Sequence, residues 1–178
     1  MSVSVAMSAQ QTRYYDAAQL NVIGKAIPTS KDYTRIDTAA YKFNDAVIEE
    51  YACHSTGLAV LFATDSPFIK AKWQTSGKNA APNMTAIAQK GLDLYIRQNG
   101  EWVFAGVGRP VMEKEPEYAS HKGTIVKSMA PGRKECLLYL PLYDCLDSLF
   151  IGIVENSYIE PLDNPFRHRI VIKGSSVT

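Results

Sequence analysis

The sequence predicts an all-β chain, an antiparallel β-sandwich of jelly-roll-like form with one short helix. Helical periodicity is scarce, and short alternating runs separated by turn residues take its place. Ten tyrosines, nine prolines and eleven glycines suit a loop-rich β protein better than a helical bundle. Residues 92–107 hold two alternating runs around Asn99-Gly100. That is the strongest short hairpin signal, because a type I′ turn needs positive φ at both central positions.

The elements follow in order. Val5-Ala6-Met7-Ser8-Ala9-Gln10 has the small residues of a secretory cleavage site, but no basic residue precedes Arg13 and the apolar stretch is short. Residues 1–9 therefore read either as the remnant of a trimmed signal or as a frayed start, and residues 1–36 as an N-terminal arm with the first strands. Residues 43–51 form the helix, with Asn44 as N-cap and Glu49 and Glu50 on its solvent side. Residues 57–64 are a buried strand ended by Asp65-Ser66-Pro67. Residues 68–74 alternate Phe68, Lys70 and Lys72 against Ile69, Ala71 and Trp73, as a half-exposed strand should. Residues 76–83 are small and polar, a loop.

In the hairpin a two-residue loop sets the register. Gln98 faces Glu101, Arg97 faces Trp102, Tyr95 faces Phe104 and Asp93 faces Gly106. One face carries Leu92, Leu94, Ile96, Val103, Ala105 and Val107; the other carries Asp93, Tyr95, Arg97, Trp102 and Phe104. A further strand pair is expected from residues 136–143, the turn 144–147 and residues 148–154. Pro141 lacks an N–H, which makes the first of these an edge or a bulged strand. Leu138, Leu140 and Leu142 share one face, Tyr139 and Tyr143 the other. The sandwich thus spans residues 37–160, and residues 161–169, with Pro161 and Pro165, read as a linker. After it the β-branched Ile170-Val171-Ile172 leads into Gly174-Ser175-Ser176-Val177-Thr178, the pattern of a buried strand followed by a nucleophile-bearing turn.

Composition narrows the function. With 178 residues, 46% apolar and 21% charged, the chain suits one well-cored domain, with or without a short extension. A formal net charge of +1 without any basic run argues against a nucleic-acid partner. No window approaches the roughly 18 apolar residues of a membrane span. Cys53, Cys136 and Cys145 allow one disulfide and a free thiol, or none; small apolar residues are the favoured reading. No metal site is expected, because His-x-His, His-Glu-x-x-His and Cys-x-x-Cys are all missing. No cofactor is expected either: Gly106-Val107-Gly108 runs into Arg109-Pro110, a turn rather than a helix start.

The face of Asp93, Tyr95, Arg97, Trp102 and Phe104 is the candidate binding site. Flat rings beside a carboxylate suit a sugar, whose C–H surface stacks while its hydroxyls donate to the acid. The competing reading, which is favoured, packs this face against the N-terminal strands or another domain. Asp93 would then bond to backbone or Arg97, and Trp102 would stack on Arg97.

Three stretches together resemble one family. Gly91-Leu92-Asp93-Leu94-Tyr95 is similar to the Gly-x-Asp-Leu-Tyr signature of the N-terminal domain of bacterial SGNH (GDSL-type) hydrolases. Tyr139-Leu140-Pro141-Leu142-Tyr143, followed by Leu149-Phe150-Ile151-Gly152-Ile153, resembles that domain's second recurrent stretch. Gly174-Ser175-Ser176-Val177-Thr178 is similar to the first catalytic block, usually Gly-Asp-Ser, with Ser175 in place of the Asp. The resemblance implies a β-sandwich followed by an α/β catalytic domain with a Ser-Asp-His triad. It makes residues 170–178 the first strand and nucleophile turn of that domain, and Ser176 the nucleophile of the parent enzyme.

A serine needs a base and oxyanion donors. His54, His121 and His168 read as surface or turn residues, and His168 precedes Ser176 by only eight residues. The chain alone is therefore expected not to be an enzyme. The resemblance implies a non-catalytic domain of an exported carbohydrate or acyl esterase, periplasmic or secreted. Its implied partner is the C-terminal SGNH catalytic domain of the same parent chain, which it would position, wall at the cleft, or carry into an oligomer. The alternative is a stand-alone carbohydrate-binding module.

Overall fold

The computed structural model describes residues 11–78, 81–111, 119–168 and 170. Two antiparallel sheets face each other across one core. The first holds β1 (Thr12–Asp16), β9 (Leu146–Val154), β4 (Ile69–Thr75) and β7 (Ser120–Val126), in the order β1-β9-β4-β7. The second runs β10 (Ile159–Pro161), β3 (Ala59–Thr64), β8 (Lys134–Tyr139), β5 (Leu92–Gln98) and β6 (Glu101–Gly108), with β2 (Asn21–Ile23) also on β3. The all-β sandwich is as expected.

Alternation builds the interior. Ile69, Ala71 and Trp73 of β4 turn inward, while Lys72 and Gln74 stay exposed. They meet Leu149, Ile151 and Ile153 of β9, and Val60, Phe62, Leu92, Leu94, Cys136 and Leu138 from the opposite sheet. β3 is buried at all six positions, because the second sheet is covered on its outer side as well.

Several local expectations need correction. The helix is α1 (Ala46–Cys53), capped by Asp45 rather than Asn44: the Asp45 carboxylate accepts from the Val47 and Ile48 amides. A second helix, α2 (Ala86–Lys90), follows Thr85, whose hydroxyl caps the Ala88 amide. Residues 136–143 and 148–154 are not a strand pair: β8 lies centrally in the second sheet and β9 in the first. β8 stops at Tyr139, so Pro141 falls outside the ladder. Pro161, read as linker, closes the edge strand β10 against Phe62.

Cys53 and Cys145 form a disulfide, with Cα atoms 5.4 Å apart across 92 residues of sequence, where small apolar residues were the favoured reading. Cys136 is a buried thiol, pushed up to about 12 by desolvation. His54 and His121 are buried, not surface residues. Burial depresses both, and takes His121 down to about 4.

Candidate functional site

The Asn99-Gly100 turn is as expected, with φ of 52° and 89°. Gln98 opposes Glu101, Arg97 opposes Trp102 and Tyr95 opposes Phe104. Between Leu94 and Tyr95 the register then slips by a β-bulge, so Leu94 faces Gly106 and Asp93 faces Val107, not Gly106. The bulge coincides with a close approach of β6 to β7: a Cβ on Gly106 would sit 2.2 Å from the Ile125 carbonyl oxygen. Only glycine lets the sheets come this near.

Gly91-Leu92-Asp93-Leu94-Tyr95 divides its work by position. Gly91 caps α2, and a Cβ there would meet the Ile87 carbonyl oxygen at 2.3 Å. Leu92 and Leu94 enter the core without exposure. Asp93 and Tyr95 point to the outer face of the second sheet. There Tyr95 makes edge contacts with Phe104 and Tyr139, at centroid separations of 5.6 and 5.8 Å. Tyr139 belongs to this face although it was not among the expected site residues. Its segregation from Leu138 and Leu140 was the available signal; its register against Asp93 was not visible.

Beyond β10 the chain lies across the same face. The Leu162 amide donates to the Leu61 carbonyl at 3.4 Å, and Asn21 Nδ2 donates to the Leu162 carbonyl at 2.9 Å. Leu162, Ile23, Tyr95 and Trp102 pack on buried Ala59, Leu61 and Leu137. Phe166 then meets the Trp102 ring at 6.4 Å. Its partner is thus Phe166 rather than Arg97. Arg97 bonds Glu135 at 3.1 Å, and Arg133 joins Glu135 and Glu160 in a surface network.

What remains open on this face is Asp93, Phe104 and Tyr139, around half-buried Tyr95. Asp93 does not bond to Arg97. Among the described residues no cation or donor meets its carboxylate, and desolvation raises its pKa. A groove of about 640 Å³ borders the strap, lined by residues 21–28 together with Asn164, Phe166, His168 and Ile170. Ser176 and the rest of residues 171–178 lie outside the described residues. His168 is exposed in the strap; His54 sits between Tyr51 and Tyr143, and His121 lies beside Trp73 in the core. The described histidines are thus dispersed, and no group of three or more metal-binding side chains occurs among the described residues.

Residues 12–159 match the family model GxDLY, the N-terminus of Esterase_SGNH_hydro-type. No curated protein matches the chain. A crystal structure described as a GDSL-like lipase from Bacteroides ovatus superposes with a TM-score of 0.82 at 42% identity, over 88% of this chain and 45% of that one. The salicylyl-acyltransferase SsfX3 from a tetracycline biosynthetic pathway superposes with a TM-score of 0.57 at 18% identity, over 88% of this chain and 43% of that one, a likeness of fold. The chain spans less than half the length of either. The motif that caps α2, fills the core and arms the outer face is the one the family is named for, and the chain belongs to the GxDLY family, the N-terminal domain of SGNH-type esterases.

Proposed function

We propose that this chain acts as the non-catalytic sandwich of an exported SGNH-type esterase for carbohydrate or acyl esters, and that it positions the catalytic domain on the outer face of its second sheet. The observation that carries this reading is the strap. The chain leaves β10, crosses Leu61 and reaches Trp102, so whatever follows Ile170 starts beside that face. The matched lipase has about as much chain again outside the aligned part. A Cys53–Cys145 disulfide suits the oxidising compartment of an exported protein.

The test is turnover of an aryl acetate. The 178-residue chain should show none above buffer. A gene product continuing into a catalytic domain should show turnover that disappears in Ser176→Ala. Hydrolysis by the short chain, lost in Ser176→Ala, sinks the non-catalytic reading.

A second reading, a carbohydrate-binding face, draws on exposed Phe104 and Tyr139 beside Asp93. Titration with oligosaccharides, followed by Trp102 fluorescence, tests it. A signal unchanged in Phe104→Ala and Tyr139→Ala rules that face out.

A further inference from the structure

We propose that Asp93 is an ionic anchor, which receives an arginine or lysine of the catalytic domain when that domain docks on the aromatic face. This rests on the docking reading above and names the contact that fixes it.

The geometry is a row across the second sheet. Ile23 opposes Ala59, Ala59 opposes Tyr139, and Tyr139 opposes Asp93. Three strand spacings put Asp93 about 14 Å from Ile23. Ile23 lines the groove that Ile170 also lines, and Ile170 is 83% exposed. The chain after Ile170 therefore starts at one end of the row and Asp93 stands near the other. A domain-sized body following Ile170 would lie along it.

The surroundings of Asp93 select what it binds. Its neighbours on this face are Tyr139, Val107 and Tyr95, all of which take hydration from the carboxylate without replacing it. Nearby charges are already satisfied: Glu135 holds Arg97 and Arg133, and Glu160 shares Arg133. A half-dry acid among aromatic rings gains most from a charge-assisted donor arriving from outside, best the planar fork of an arginine, which also stacks on tyrosine. A neutral hydroxyl returns less. Burial raises the carboxyl's pKa, and no counter-charge meets it among the described residues.

The experiment compares Asp93→Asn, Phe104→Ala and Tyr139→Ala in two settings, the 178-residue chain and the two-domain protein. In the short chain Asp93→Asn should leave the urea midpoint unchanged or raised, since an unpaired acid is removed. In the two-domain protein it should speed tryptic cleavage at Arg167, Arg169 or Lys173 by about thirtyfold or more, the loss expected when one partner of a desolvated ion pair is removed. If Asp93→Asn cleaves like the wild type while Phe104→Ala or Tyr139→Ala cleaves faster, the face is right and the anchor is wrong. If none of the three changes cleavage, the docking reading falls with the proposal. If Asp93→Asn abolishes oligosaccharide binding and leaves cleavage unchanged, the acid serves a sugar and the proposal is overturned.

Discussion

Lys90 Nζ lies 2.9 Å from Asp144 Oδ2, with both side chains sealed from solvent. Lys90 also donates to the Ser76 carbonyl at 2.7 Å, and Asp144 Oδ1 accepts from the Ser76 amide at 3.1 Å. The pair thus ties the end of α2, the loop after β4 and the β8–β9 connection together. Removing one partner strands the other's charge, so Lys90→Met or Asp144→Leu should each cost about 3–5 kcal/mol in urea unfolding. The double variant should recover most of that loss. Additive losses would mean the two charges do not compensate each other.

His121 should make stability depend on pH. Its Nδ1 accepts from the Val111 amide at 3.1 Å, which leaves the Nε2 proton for Thr75 Oγ1 at 2.9 Å. Burial, then the neighbouring Lys90 charge, lowers its pKa from 6.5 to about 4, against an opposing pull from Asp144. Between those values the unfolded chain takes up a proton that the folded one refuses, so stability present above pH 6.5 is lost as pH falls toward 4. Urea midpoints across that range should drop in the wild type and flatten in His121→Gln. Equal slopes would remove His121 from the account.

The Cys53–Cys145 link closes a long loop, for which chain entropy alone gives about 4–5 kcal/mol. Reductant should lower the denaturation midpoint of the wild type and leave that of a Cys53→Ser/Cys145→Ser variant unmoved. Cys136, dry and protonated, should resist a thiol reagent until the chain unfolds. A wild-type midpoint indifferent to reductant would deny the bond a stabilising part.

Gly91→Ala tests the glycine of the motif as a matter of space rather than dihedral freedom, since its φ is an ordinary −73°. The added methyl would meet the Ile87 carbonyl oxygen at 2.3 Å. We expect a loss of about 1–3 kcal/mol from forced displacement of α2. Gly100→Ala, with open space but φ of 89°, should be costly through strain instead. A stable Gly91→Ala would mean that α2 shifts freely.

Period-two alternation made the faces legible, and Asn99-Gly100 made one pairing legible. It left the partners of the other strands open, because alternation says which side of a sheet a residue takes and nothing about which strand lies alongside. That is why β8 and β9 read as neighbours. The bulge went unread too: Gly106 inside the strand is its local sign, but what demands it is the distant Ile125 backbone. α2, at five residues, is shorter than any window in which helical period can be counted. The Lys90–Asp144 pair and the disulfide join segments far apart in sequence. The aromatic face was legible as chemistry, but its cover by Leu162 and Phe166 came from a stretch whose prolines read only as linker.

The pairing of β1 with β9, Tyr14 opposite Gly152, sets a schedule for biosynthesis. Apart from the β2–β3 and β5–β6 pairs, each described strand that follows another in the chain lies in the other sheet. Neither sheet can be completed from a short nascent fragment, and β1 waits unpaired until β9 has been made. At ordinary elongation rates that wait lasts on the order of ten seconds. For that interval β1 and the apolar face of β4 are open to other chains. A holding chaperone or a translocation channel that keeps the polypeptide extended would suit this topology, and co-translational folding in stages would not.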